Sequence, residues 1–421
     1  MTGLLKDIFG GIITVLKSKY KLIFILFALW IYRIDFIPED GSGIGKAIQI
    51  VSLFGLLAIL YRKSPNLFSF SYQQTPIQIR SLLWLYSFAV ISTLWAFIPS
   101  FAFFLAFQNL VMIMLWIWIM SLCRTFKQME KLFIIVCICV AVFESIGARA
   151  VAFGFSPFIH FLPGASTGAL TFSYCVGEYL SNKCKDRDRR GFLMASMIIS
   201  LIVMITSTSS GANASAVGAL GIALLFSGNL FLSFVFIGIS LTLYLNPNLV
   251  ESLMMWLMPG KTMESINTAS GRTVLWELIK IKTAERPLIG WGFACIERAI
   301  GTEFLGETTS DAHSNFVGMY GSLGIIGLLL FVFHLGVHTL NAFKNRVKLG
   351  YLGILCATIC AIVNSYSYGF LSGKTCSITI VYFGLVVLSY YYSKVYKKTD
   401  FLRPVNKKVK TATIFVVKTR S

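Results

Sequence analysis

The sequence predicts an all-α, polytopic membrane protein: a helical bundle of about twelve transmembrane helices with one long outer loop that carries an amphipathic helix. Three observations predict it. Charged residues make up 13% of the 421-residue chain and hydrophobic residues 56%, where soluble domains carry about 25% charged. The mean hydropathy is +0.75. The apolar residues come in blocks of about 20, enough to cross ~30 Å of hydrocarbon. A soluble enzyme is excluded, and no remaining stretch is long enough to fold as a separate catalytic domain.

In chain order the expected spans are 21–37, 44–61, 81–98, 101–121, 129–150, 163–180, 191–208, 211–226, 228–245, 313–334, 349–367 and 375–393. Segment 1–245 thus holds the first nine and 313–393 the last three. Between them lies a loop, 246–312, and a basic tail, 394–421, follows. The first span follows Lys17, Lys19 and Lys21 and has no small-residue cleavage site after it, so it reads as a signal anchor.

The net charge of +19 reports topology rather than nucleic-acid binding. With the N-terminus placed in the cytoplasm, most basic residues fall on inner segments, among them Arg62, Arg124, Lys127, Lys183, Arg189, Arg346 and the tail around Lys407, Lys408 and Lys410. This is the positive-inside pattern. Both termini are then cytoplasmic, the tail lies near anionic lipid, and 246–312 faces outward with eight acidic residues. No repeat relates the two halves, which argues against the usual transporter plan.

Within the loop, 270–284 reads as a helix. Val274, Leu278 and Ile281 fall at i, i+4, i+7, with Leu275 and Ile279 beside them. Ser270 is the expected N-cap and Pro287 the stop. Such a helix lies along a membrane or over the bundle mouth. Arg272 sits in its first turn, where free N–H groups and the dipole already favour an anion and a guanidinium adds a forked donor for phosphate. An arginine at the lipid interface would look the same. The loop ends in Ser310-Asp311-Ala312-His313-Ser314-Asn315, which puts His313 in the first turn of the tenth span. The dipole there keeps an imidazole neutral and able to accept a proton; a capping or loop histidine is the other reading.

Other polar residues carry paired readings too. Arg149 and Glu144, at the outer end of the fifth span, are a functional pair or an internal structural one. Glu178 and the Asp186-Arg187-Asp188 run read as structural parts of the inner face. His334 and His338 share a helix face without a third metal ligand. The small-residue run 211–221 favours close helix packing. The nine cysteines show no metal or redox spacing. Those in the spans read as apolar packers, and Cys295, alone in the loop, implies no disulfide.

Several of these pieces form a familiar set. Gly271-Arg272 followed by Trp276, then Pro287-Leu288-Ile289-Gly290-Trp291-Gly292, then His313-Ser314-Asn315 with Gly321, Gly324 and Gly327, resembles the bacterial O-antigen ligase and polysaccharide polymerase family. Ser92-Thr93-Leu94-Trp95 with Pro99, and Ser207-Thr208-Ser209-Ser210-Gly211-Ala212, are similar to two further motifs of that family. The resemblance implies a GT-C-like membrane glycosyltransferase of the bacterial inner membrane, working in lipopolysaccharide or exopolysaccharide biosynthesis. It would take an oligosaccharide from undecaprenyl diphosphate on the periplasmic face. The acceptor would be a lipid A-core sugar or another lipid-linked glycan. It would use no metal, nucleotide sugar or other cofactor, and no nucleic acid. Membrane lipids and other polysaccharide-assembly proteins are the remaining partners it implies. Carried over, Arg272 holds the diphosphate and His313 accepts the proton of the attacking hydroxyl, with inversion at the anomeric carbon.

One position departs from the pattern. Many members carry an arginine after the serine that precedes the eighth span; here that position is Ser210. A second cation must then come from elsewhere, with Arg149 first and Lys374 next in order, while Ser210, Asn315 and Asp311 are supporting residues. The competing classes are a polyprenol-glycan flippase or other transporter and a non-catalytic assembly subunit.

Overall fold

The computed structural model describes residues 43–63, 75–121, 123, 125–151, 162–181, 186–207, 209–246, 248–249, 252, 272–305, 312–373 and 375–395. The first expected span, 21–37, lies outside them, as does the tail beyond 395. Among the described residues there are thirteen α-helices and no strand. They are α1 (Gly43–Lys63), α2 (Ile77–Ile91), α3 (Pro99–Ser121), α4 (Phe126–Val151), α5 (Leu162–Leu180), α6 (Arg187–Thr206), α7 (Ser210–Phe226), α8 (Leu230–Leu245), α9 (Arg272–Thr283), α10 (Ile296–Ile300), α11 (Asn315–Leu349), α12 (Gly353–Asn364) and α13 (Ser377–Val395).

Four stretches are long and apolar enough to cross a membrane: Ile77–Leu94, Pro99–Ser121, Arg187–Thr206 and Asn315–Val347. Shorter apolar helices stand beside them. The outside of the bundle is itself greasy. On α8 no residue is buried, and Leu230, Phe231, Phe234, Ile239 and Leu245 are all exposed. A water-soluble surface rarely carries an apolar patch of that extent. The described residues thus form an all-α bundle with four helices long and apolar enough to span a membrane, the pattern of a multi-pass membrane protein.

The core runs along α5, α12 and α13. From Ile378 to Leu388 the apolar side chains of α13 are almost completely buried, and α5 touches α4, α6, α7, α12 and α13. Small residues allow this. Gly177 of α5 meets the backbone of Gly353, and Ala212, Ala216 and Ala219 bury the inner face of α7, as the small-residue run predicts. Side-chain caps start the neighbouring helices: Asp186 for α6, Ser209 for α7, Asn229 for α8.

Two spans differ from expectation. The eleventh shrinks to the 12-residue α12, roughly 18 Å long, because 365–373 leaves the helix as a hydroxyl-rich turn that is buried apart from Tyr366 and Ser367. Non-helical backbone is tolerated at such depth only where protein surrounds it. The tenth runs on to Leu349 and is broken at Gly324, whose φ of 67° is left-handed.

Candidate functional site

The break in α11 is filled by the Pro287–Gly292 loop. The amides of Trp291 and Gly292 donate to the carbonyls of Gly321 and Ser322, at 3.2 and 2.8 Å. In return the amides of Ile325 and Ile326 donate to the carbonyls of Pro287 and Leu288, at 2.9 and 3.3 Å. A helix interrupted in this way leaves carbonyls and amides without helical partners, and the loop supplies them. The approach needs glycine on both sides. Gly290 also has a positive φ, 65°, and a Cβ there would strike Ser322 and Gly324, while a Cβ on Gly324 would strike the backbone of Leu288.

The Ser92–Trp95 motif closes the other side of this loop. The Trp95 indole donates to the Ile289 carbonyl (3.0 Å), the Phe97 amide to the Trp291 carbonyl (2.9 Å), and the Phe293 amide to Ser92 Oγ (3.0 Å). Three motifs distant in sequence thus form one joint. Cys295 beside it is a buried free thiol, its pKa raised by burial.

That joint carries α9. Its buried side is Ile279, Lys282 and Thr283, with Leu275 and Leu278 against Trp291, Ile296 and Ile300. The expected stripe is therefore rotated: Val274 and Ile281 are 64% and 59% exposed. Helix α9 faces α11 and α10, and the partner selects the adjacent stripe. Lys282 lies 4.3 Å from the Trp291 ring, as does Arg286 on the same indole. Burial works against the Lys282 charge, but hydrogen bonds to Glu285 and Glu303 outweigh it and hold its pKa above the ordinary lysine value.

Arg272 and His313 meet the bundle through one turn. The Arg272 guanidinium Nη1 donates to the Ser367 carbonyl at 2.9 Å. Two residues earlier, the Ser365 carbonyl accepts from the Asn315 amide (2.8 Å) and from Ser314 Oγ (3.4 Å). Asn315, wholly buried, clamps the turn further. Its Nδ2 donates to Ser365 Oγ (2.9 Å), and its Oδ1 accepts from the amides of Leu371 (2.6 Å) and Ser372 (3.2 Å). A second tie crosses directly from α9: the Trp276 indole donates to the Ala312 carbonyl (2.8 Å), and the Ala312 amide donates to Glu297 Oε1 (3.2 Å).

His313 is not in the first turn of its helix, as the sequence suggests. Ser314 is the N-cap residue and Asn315 the first helical one, so His313 precedes the helix. Its φ is 52°, a left-handed conformation that costs a non-glycine residue about 1–2 kcal/mol and that clusters at functional sites. The bonds to Ala312 on one side and to Asn315 on the other hold it there. The ring is half-buried.

Ser210 opens α7, next to Gly211, whose backbone stands so close to the Ser367 side chain that no Cβ fits between them. Arg149 falls in α4, with its side chain outside the described residues, as are Asp311 and Lys374. Glu144 is buried. His334 and His338 are stacked and held by hydroxyls: Ser81 and Tyr382 on His334, Thr358 on His338. Among the described residues no three His, Cys, Asp or Glu side chains are grouped to hold a metal. Sequence reading missed Glu297, Asn364, Ser365 and Ser367. The hydroxyl-rich run 365–368 inside a supposed span was the available signal.

No protein-family model matches the chain, and no curated protein matches it. The resemblance therefore rests on the motifs, all of which converge on the α9–α11–α12 end of the bundle.

Proposed function

We propose that the chain is a GT-C-like membrane glycosyltransferase that moves an oligosaccharide from undecaprenyl diphosphate to a glycan acceptor on the outer face of a bacterial inner membrane. One observation carries the reading. Arg272 and the His313 segment are tied to the same Ser365–Ser367 turn and to each other through Trp276 and Ala312. A phosphate-binding group and a base on adjoining segments are what the reaction requires. The leaving group is already a good one, so the protein must chiefly neutralise its charge and orient the acceptor.

In this mechanism Arg272 binds the diphosphate. The acceptor hydroxyl attacks the anomeric carbon from the face opposite the leaving oxygen. Its proton passes to the His313 imidazole as the new C–O bond forms. The old C–O bond breaks with its electron pair on the phosphate, releasing undecaprenyl diphosphate and inverting the centre. Glu297, Trp276 and Asn315 position the histidine rather than react. A polymerase of O-antigen or exopolysaccharide type is favoured over a ligase by the short, tight loops elsewhere in the chain.

The test is complementation of a deletion strain, read on a glycan gel. Arg272→Ala and His313→Ala, inserted at wild-type level, are expected to lose polymer by at least about 100-fold. Core carrying a single repeat assigns a polymerase, and bare core a ligase. Normal glycan in both variants, or donor accumulating on the cytoplasmic face, rejects the enzyme in favour of a transporter.

A further inference from the structure

The departure at Ser210 leaves the diphosphate short of one donor, and a second observation bears on where that donor is. Asn364, the last residue of α12, is 1% exposed. Among the described residues its Nδ2 has no hydrogen-bond partner. A buried amide donor left unsatisfied costs about 1–3 kcal/mol, so such a group calls for a partner, a ligand or a buried water. Its surroundings indicate the sign of that ligand. The Asn364 carbonyl and Oδ1 are both engaged by Ser367 Oγ, at 3.3 and 3.4 Å. Ser367 in turn receives the Arg272 guanidinium on its carbonyl. The Asn364 Oδ1 is 3.9 Å from where a Cβ on Gly211 would stand, in the first turn of the 17-residue α7, and a helix start favours negative charge. The Asn364 side-chain amide, the guanidinium and a helix start therefore adjoin at one turn.

We propose that the side-chain amide of Asn364 donates to a phosphate oxygen alongside Arg272, so that a neutral donor and the α7 start take the place of a second arginine. The inference rests on the glycosyltransferase reading of the same site. Ser367 is the group that must turn aside as the phosphate enters. Its hydroxyl bonds are long against the usual ~2.8 Å for O–H···O, which makes it a weak latch.

The experiment measures binding of undecaprenyl diphosphate to the full chain in lipid nanodiscs, with inorganic diphosphate as a parallel probe and thermal unfolding as a second readout. Asn364→Ala is expected to weaken undecaprenyl diphosphate binding about tenfold to a hundredfold, without lowering the unfolding temperature. Asn364→Asp, of nearly the same shape, is expected to weaken it further by charge repulsion. Inorganic diphosphate competing equally well assigns the contact to the phosphates alone; weaker competition adds a polyprenyl contribution. Both results support the proposal if the Asn364 variants shift them. Wild-type binding in both Asn364 variants, or a buried water found on Nδ2 with affinity unchanged, overturns it. Arg272→Ala separates the two ideas: if it loses binding while Asn364→Ala does not, only this inference fails, and if neither loses binding the reading of the site fails as well.

Discussion

The two ends of α12 handle an arginine in opposite ways. At its start, Arg189 is bonded to Glu130 through Nε and Nη2 (2.8 and 2.6 Å) and to Glu178 (2.6 Å). Tyr174 donates to Glu130 and the Gly353 amide to Glu178, and Tyr351 lies 5.6 Å over the guanidinium. Two buried carboxylates share one arginine and draw further bonds from Tyr174 and Gly353, which fits a structural lock. At the far end of the same helix, Arg272 donates to a neutral backbone carbonyl, next to a helix start and a strained histidine. Twelve residues of α12, roughly 18 Å, separate a cluster of two carboxylates on one arginine from one arranged around a turn. On the proposed function, stability and substrate binding fall to different ends of one rod.

The comparison breaks first, and most severely, if the ends are exchanged in effect. Arg189→Ala should cost about 3–5 kcal/mol, because removing the one cation strands two buried carboxylates. The variant is expected to lose most folded protein in detergent size-exclusion, while His313→Ala elutes as wild type. A fold that survives Arg189→Ala unchanged would remove the lock.

Next comes Gly324→Val. A left-handed β-branched residue against the Leu288 backbone should cost at least about 2 kcal/mol, unseat the Pro287–Gly292 loop and abolish transfer. Limited proteolysis at 284–292 reads the loss. Asn315→Ala, which removes three side-chain hydrogen bonds to the 365–372 turn, should cost about 2–3 kcal/mol at about 1 kcal/mol each. It should lower transfer well beyond what the unfolding temperature explains. Trp276→Phe keeps the ring and deletes one bond, so about 1 kcal/mol and about a tenfold loss in rate are expected.

The smallest effect is on pH. Lys282 is held above its ordinary pKa, so its contribution is complete at neutral pH and is lost only as pH rises through that raised value. Its partners Glu285 and Glu303 are half-exposed, and Lys282→Met should change stability by less than about 1 kcal/mol. Unfolding that is flat from pH 7 to about 10 agrees with this; a midpoint near neutrality does not.

Much of this was legible in the chain. Leucine- and isoleucine-rich blocks mark helices because hydrocarbon admits little else, and a helix overlaps each expected span from 44–61 onward, though 349–367 holds only the 12-residue α12. The motif glycines Gly290 and Gly324 signalled a special conformation, but not that they face each other across a helix break. The α9 stripe was misjudged because Val274, Leu278 and Ile281 and the adjacent Leu275, Leu278 and Ile279 are equally periodic, and only the presence of α11 selects between them. His313 was placed inside its helix rather than two residues before it, since nothing local marks Ser314 as the N-cap. Asn364 was lost inside an apolar block, where hydropathy averages over a single amide.

The most direct measurement is single-turnover transfer by purified His313→Ala in nanodiscs, with undecaprenyl diphosphate-linked glycan extracted from the host as donor and binding of that donor followed in parallel. The account predicts near-normal binding with product formation reduced at least about 100-fold. Product formed at the wild-type rate would contradict it.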